Sequence, residues 1–110
     1  MIDLSVLCIL IVMHFFADFV LQSDSVAKNK SRKNRVLLWH VTLYSLPFLY
    51  FGWLFALVNF ILHFVTDYIS SKITKKLWAQ QQTHWFFVTI GFDQMIHLLC
   101  LVTTYVWLVG

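Results

Sequence analysis

The charged residues are confined to two short stretches, and this feature constrains the fold more than any other. All eight cations of the 110-residue chain lie within residues 28–35 and 72–76. Around them run three apolar segments, residues 4–22, 36–71 and 85–110, whose few ionisable side chains are Asp and His. Because a run of about 20 apolar residues spans a bilayer, these segments predict transmembrane helices.

The middle segment is too long for a single crossing. Its residues, 36–71, would form a helix of roughly 54 Å at ~1.5 Å per residue, whereas the bilayer core is about 30 Å thick. A turn at Gly52-Trp53 is therefore expected, and Pro47 is expected to bend the helix before it. The sequence predicts one all-α domain over residues 1–110, a four-helix transmembrane bundle with short loops. Its expected spans are about 3–22, 36–51, 54–71 and 85–109.

Composition and charge indicate where such a bundle would be located and how it would be oriented in the membrane. The chain is 60% hydrophobic and only 12% charged, whereas soluble domains are nearer half apolar and a quarter charged. With four spans, both basic stretches are loops on one side, which the positive-inside rule makes cytoplasmic. Both termini then lie outside a bacterial inner membrane. Within the first loop, Asp24 is expected to cap a short helix through residues 25–30.

The basic loops also suggest partners. We expect them to contact the bilayer and its anionic lipid headgroups, and we expect no nucleic acid. Residues 1–22 lack the N-terminal cation of a signal peptide and are taken as a span. The oligomeric state, including a homo-oligomer, stays open.

Three pairs of Asp and His lie inside the expected spans, each pair four residues apart. They are His14 with Asp18, His63 with Asp67, and Asp93 with His97. Residues four apart share a helix face, so each pair can point at one partner. An Asp at the bilayer centre costs ~2.5–3.5 kcal/mol. An interhelical hydrogen bond returns only ~0.6 kcal/mol on average, so a purely structural role is disfavoured.

Imidazole nitrogen and carboxylate oxygen are typical ligands of Zn, Fe or Mn, and with no thiolate in the set Zn is the leading expectation. One tetrahedral ion needs four ligands, so a larger set allows either one ion or two ions with a bridging Asp. The predicted metal ligands are His14, Asp18, His40, His63, Asp67, Asp93 and His97.

The order of these residues resembles a known family. The pattern consists of His14-x3-Asp18-x3-Gln22, Lys28 to Lys30, His40, His63-x3-Asp67 and Asp93-Gln94-x2-His97. Together these motifs resemble the uncharacterised bacterial and phage membrane family catalogued as domain of unknown function 3307. The resemblance covers nearly the whole chain and implies no activity. More loosely, and by analogy alone, the His-x3-Asp pairs resemble those of inner-membrane metal-dependent hydrolases.

A metal site in apolar surroundings beneath a basic rim favours a metal-dependent hydrolase of a lipid or a lipid-linked phosphoester. Asp93 is the expected general base. The expected substrate-binding residues are Gln22, Lys28, Lys30, Tyr44, Lys72 and Gln94.

Two other functions stay open. Asp and His inside spans also line proton or metal-ion pathways, which would make the chain a transporter subunit. Polar residues become sparse toward the outer face, which disfavours this reading. The second open function is that of a non-catalytic protein, of bacterial or phage origin, that binds a partner in the membrane.

Overall fold

The computed structural model describes residues 2–110, and this part of the chain is helical apart from short connections. The prediction of an all-α fold is confirmed. The elements are α1 (Leu4–Phe15) with a π-helical turn (Phe16–Val20), α2 (Asp24–Asn29), α3 (Asn34–Ser45) with a 3-10 turn (Leu46–Phe51), α4 (Trp53–Ala79) and α5 (Thr83–Leu108).

The first two helices have polar caps. Helix α1 begins after Asp3, whose carboxylate accepts a hydrogen bond from the backbone N–H of Ser5 at 2.7 Å. Helix α2 begins after Ser23, whose hydroxyl accepts from the N–H of Val26 at 3.2 Å. The expected cap, Asp24, instead lies in the first turn of α2. A carboxylate is favourable there because it faces the positive end of the helix dipole.

The turn between α3 and α4 follows the sequence prediction. Pro47 lies in the first turn of the 3-10 segment, which continues α3 with a tighter winding. Gly52 then reverses the chain with φ +117° and ψ 151°. This backbone region is open to glycine and strained for other residues.

Helix α4 is longer than expected, because it continues to Ala79 and not to residue 71. No Gly or Pro occurs between residues 53 and 79, so nothing in the sequence breaks the helix. The second basic stretch, residues 72–76, therefore lies on the end of α4 and not in a loop as expected. At 27 and 26 residues, α4 and α5 are long and apolar enough to cross a membrane, while residues 4–20 form a shorter apolar helix.

The interior is unusually polar and the exterior unusually apolar. The apolar core consists of Leu10, Ala17, Tyr44, Phe48, Phe55, Ala56 and Leu101. Ten polar or charged residues are buried beside it, including His63 and Asp67 at 2% and 1% exposure. Large apolar side chains point outward on the helices, as Ile61, Phe92 and Trp107 do. Water-soluble proteins have the opposite distribution of ionisable groups.

Candidate metal centre

Four helical segments bring their ionisable side chains to one place. The π-helical turn supplies Asp18, α3 supplies His40, α4 supplies His63 and Asp67, and α5 supplies Asp93 and His97. All six are at most 8% exposed. Spacings of four residues align the pairs on α4 and α5, as the sequence predicts. The chain thus gathers six of the seven predicted ligands in two groups that could each hold a metal ion.

The first group contains four atoms that lie close together. These atoms, which we call the four-atom site, are Asp18 Oδ1, His40 Nε2, His63 Nε2 and Asp67 Oδ2. His40 Nε2 lies 3.0 Å from Asp18 Oδ1 and 3.2 Å from Asp67 Oδ2. His63 Nε2 lies 3.6 Å and 3.2 Å from the same two oxygens, and 3.3 Å from His40 Nε2.

These five separations are close to the edge lengths of a tetrahedral site. A zinc ion bound at ~2.0–2.1 Å by each ligand requires ligand atoms about 3.3 Å apart. The contact between the two imidazole nitrogens is compatible with such a site. Without metal, one Nε2 can donate to the other at 3.3 Å, and with metal both neutral imidazoles can direct their lone pairs at one cation. The geometry and the donor set therefore both fit a divalent metal.

The second group consists of Asp18, Asp93 and His97 and shares Asp18 with the first. Asp67 also lies next to it. His97 Nε2 lies 3.1 Å from Asp67 Oδ1 and 3.0 Å from Asp93 Oδ2. One oxygen of Asp67 thus belongs to the four-atom site and the other faces His97. A carboxylate in this position can bridge two ions.

Aromatic stacking fixes the imidazole rings. The ring of His63 lies between those of Tyr44 and His97, with centroid distances of 3.9 Å on both sides. The Nδ1 atom of His63 has no hydrogen-bond partner among the described residues. Metal-bound histidines usually donate this second N–H to an oxygen. Here ring stacking takes over the orienting role.

His14, a predicted ligand, lies outside both groups. Its Nε2 is 2.6 Å from Gln94 Oε1 and its Nδ1 is 2.9 Å from the Tyr44 hydroxyl. The Gln94 amide nitrogen faces Asp18 Oδ2 at 3.1 Å and Asp93 Oδ2 at 3.2 Å, so its oxygen must accept from His14. The network therefore assigns the proton of a neutral His14 to Nε2, and Nδ1 accepts from Tyr44. His14 supports the ligands through Gln94.

A cavity of about 530 Å³ opens beside the two groups and has basic side chains at its rim. We call it the basic cavity. Four of the predicted substrate-binding residues line it, Gln22, Lys28, Lys30 and Gln94, and the expected general base Asp93 lies in its wall. Its apolar lining includes Phe19, Trp78, Phe86, Phe87 and Ile90.

Two predicted substrate-binding residues do not line the basic cavity. Tyr44 is fully buried behind the metal groups and stacks on His63. Lys72 points elsewhere: its ammonium donates to the Ser31 carbonyl at 3.2 Å and lies over the Tyr68 ring. Lys72 is one residue past Ser71, so the turn of the helix carries it to a different face.

The sequence analysis missed Ser70, Ser71 and Lys75, which line the basic cavity. Ser70 donates to Asp93 Oδ1 at 2.6 Å. A signal for the other two was present. Continuing from His63 and Asp67 in steps of four leads to Ser71 and Lys75. The predicted stripe stopped at Asp67, and the predicted span ended at residue 71, before Lys75.

Comparisons with known proteins agree with the resemblance seen in the sequence. No curated protein and no solved structure matches the chain. The sequence model of the family described as "Protein of unknown function (DUF3307)" matches residues 6–110. Since this match covers nearly the whole chain, the protein belongs to the DUF3307 family.

Proposed function

We propose that this protein is a small membrane protein that binds divalent metal, zinc in the simplest case, and uses it to hydrolyse a lipid or lipid-linked phosphoester. The observation that carries the proposal is the four-atom site. Five of the six separations among its nitrogen and oxygen atoms are 3.0–3.6 Å, close to the edges of a zinc tetrahedron.

The charge of the site supports a bound cation. The three buried aspartates contribute −3 and the Lys30 ammonium, 3.3 Å from Asp67, contributes +1. With neutral imidazoles the cluster would hold −2, which one divalent ion neutralises; without metal, protonated His40 and His97 beside these carboxylates would supply the same charge. Leaving such a charge uncompensated in an apolar interior is costly. A second ion near His97 and Asp93, with Asp18 or Asp67 bridging, is the two-metal version of the same proposal.

The distribution of side chains supports a membrane location. Two helices are long and apolar enough to cross, and large apolar residues cover their outward faces. We propose that residues 4–20 and 34–51 cross as well, which gives a four-helix transmembrane bundle. Both basic stretches then face the cytoplasm and both termini lie outside a bacterial inner membrane. All five tryptophans are at least half exposed, as expected at membrane interfaces.

The basic cavity supports hydrolysis as the use of the metal. A zinc ion activates water for attack near neutral pH. Asp93 lies in the cavity wall, 8% exposed, and can accept a proton as general base. Lysines at the rim can bind phosphate, and the aromatic wall can accommodate a lipid chain.

Elemental analysis tests the metal. The full chain is purified in mild detergent without chelator or affinity tag, beside a His63→Ala/Asp67→Ala variant and a His84→Ala control. His84 is exposed and outside both groups. We expect one or two equivalents of Zn, Fe or Mn in the wild type and the control, and none in the double variant. A folded wild type without metal would overturn the proposal.

Hydrolysis is tested separately. Metal-loaded protein is incubated with bacterial lipid extract and a panel of phosphoester lipids, and released phosphate is measured. Activity in the wild type that is lost in Asp93→Asn at unchanged metal content would support the hydrolase. Absence of turnover across the panel would leave a metal-binding protein without this activity.

Transport and a purely interacting role receive less support. Beyond the metal groups, away from the basic cavity, the interior is closed by apolar residues such as Leu10, Phe48, Phe55 and Leu101. A proton or metal-ion pathway through one chain would have to pass this apolar layer. A non-catalytic partner-binding protein would not require the alignment of ligand atoms in the four-atom site.

A further inference from the structure

Lys30 reaches into the four-atom site from the end of α2. Its ammonium lies 3.3 Å from Asp67 Oδ2 and 3.1 Å from Gln22 Oε1. The lysine side chain is 19% exposed while the Asp67 side chain is 1% exposed. Lys30 therefore joins the basic cavity to the buried carboxylate.

The oxygen that Lys30 contacts is one of the four proposed ligand atoms. Asp67 Oδ2 also faces His40 Nε2 and His63 Nε2, each at 3.2 Å. A divalent ion at the centre of the four-atom site would lie about 2 Å from this oxygen. The ion and the ammonium would then compete for one oxygen, and their like charges would repel each other.

The basic cavity has a place for the displaced ammonium. Lys28 and Lys75 line it together with Lys30. Ser71, 7% exposed, also lines it, and its hydroxyl has no hydrogen-bond partner among the described residues. Buried hydroxyls are nearly always hydrogen-bonded, so an unpartnered one in the same cavity as three lysines is available to a ligand.

We propose that metal binding releases Lys30 from Asp67, and that the freed ammonium completes a phosphate site with Lys28, Lys75 and Ser71. The proposal rests on the metal site proposed above. It makes phosphate binding conditional on metal. Without metal, Asp18 in the cavity wall repels an anion and Lys30 is engaged with Asp67; with metal in the four-atom site, the charge of Asp18 is neutralised and Lys30 is free. Such coupling is reciprocal, so phosphate also tightens metal binding.

The phosphate can belong to a lipid or be free in solution, and both share the recognition chemistry of lysines and a hydroxyl. The apolar wall formed by Trp78, Phe86 and Ile90 adjoins the phosphate site. Short-chain phosphatidic acid and inorganic phosphate are therefore compared as probes. Tighter binding of phosphatidic acid assigns the site to a lipid phosphate, and equal binding assigns it to free phosphate.

Equilibrium dialysis with radiolabelled phosphate, with and without zinc, tests the coupling on the full chain in detergent. Zinc affinity is measured in parallel by competition with a chromophoric chelator. In the wild type we expect zinc to increase phosphate affinity by about 10-fold or more. A 10-fold change corresponds to ~1.4 kcal/mol. In Lys30→Gln we expect zinc to bind about 10-fold tighter, by the same estimate. We also expect this variant to lose most of the increase in phosphate affinity that zinc causes in the wild type.

Two further variants separate the contributions. Lys75→Gln should weaken phosphate binding and leave zinc affinity unchanged, because Lys75 lines the cavity without contacting a ligand atom. Lys76→Gln, an exposed neighbour outside the cavity, should behave as wild type. Lys75→Gln also keeps the phosphate site testable if Lys30→Gln fails to fold.

The outcomes distinguish this inference from the proposed function. If the folded wild type binds no metal, the proposed metal site fails and the coupling fails with it. If zinc binds but Lys30→Gln changes neither affinity, the coupling alone is overturned. Equal phosphate binding with and without zinc would also overturn it.

Discussion

Replacing His14 by Phe distinguishes a supporting residue from a metal ligand. The substitution keeps a planar ring of similar size and removes two hydrogen bonds, to Gln94 at 2.6 Å and to Tyr44 at 2.9 Å. Gln94 then loses the contact that directs its amide nitrogen toward Asp18 and Asp93. No proposed ligand atom is removed. The change therefore acts on how the ligands are held and not on their number.

The expected magnitude follows from this placement. Loss of an outer contact typically costs 10–100-fold in metal affinity, about 1.4–2.7 kcal/mol. In His14→Phe we expect the dissociation constant for zinc to rise by this factor while the number of bound equivalents stays the same. His63→Ala serves as the comparison, because it removes an atom of the four-atom site and should abolish that equivalent.

The assay is zinc titration of chelator-stripped protein in detergent against a chromophoric competitor, with circular dichroism to verify the helical content. If His14→Phe loses a whole equivalent of zinc, as His63→Ala is expected to, then His14 is a ligand and the hydrogen bond from its Nε2 to Gln94 does not describe the metal-bound protein.

Three further predictions concern stability and pH. Metal at 100 times its dissociation constant should stabilise the folded chain by about 2.7 kcal/mol in thermal unfolding, and Asp67→Asn should abolish this gain. Zinc affinity should fall as pH is lowered from 8 to 5 in competition titrations, because bound imidazoles must be deprotonated; a flat profile would contradict histidine ligation. Gly52→Ala should lower stability by ~1–3 kcal/mol because of the φ of +117°, whereas Gly91→Ala, inside α5 with open space around it, should raise stability by ~0.5–1 kcal/mol.

The sequence predicts the positions of the helices well because the turn signals are local. Gly52 and Pro47 mark the reversal between α3 and α4 through their own backbone restrictions. The end of α4 could not be found in this way. The criterion used there was loss of hydrophobicity after residue 71, but a helix can continue in polar sequence until a residue breaks it.

The site was predictable to the extent that it depends on helical spacing. Spacings of four identified the pairs on α4 and α5, and six of the seven predicted ligands lie in the two groups. His14 has the same spacing to Asp18 but lies outside. Its neighbours Tyr44 and Gln94 come from other helices. Which atoms meet across helices depends on their rotation about their axes, and one sequence does not contain that information directly.

The π-helical turn has a consequence for changes in chain length. At this turn the N–H of Leu21 bonds to the carbonyl of Phe16, five residues back, at 2.9 Å. The turn therefore contains one residue more than a regular helix would use. Each α-helical residue rotates the chain by about 100°. Deleting one residue from this turn can therefore be absorbed by a return to regular helical winding, whereas a deletion between Leu10 and His14 would rotate these two residues relative to each other by about 100°. Changes of chain length should be better tolerated at residues 16–20 than within residues 4–15, provided that Asp18 is kept.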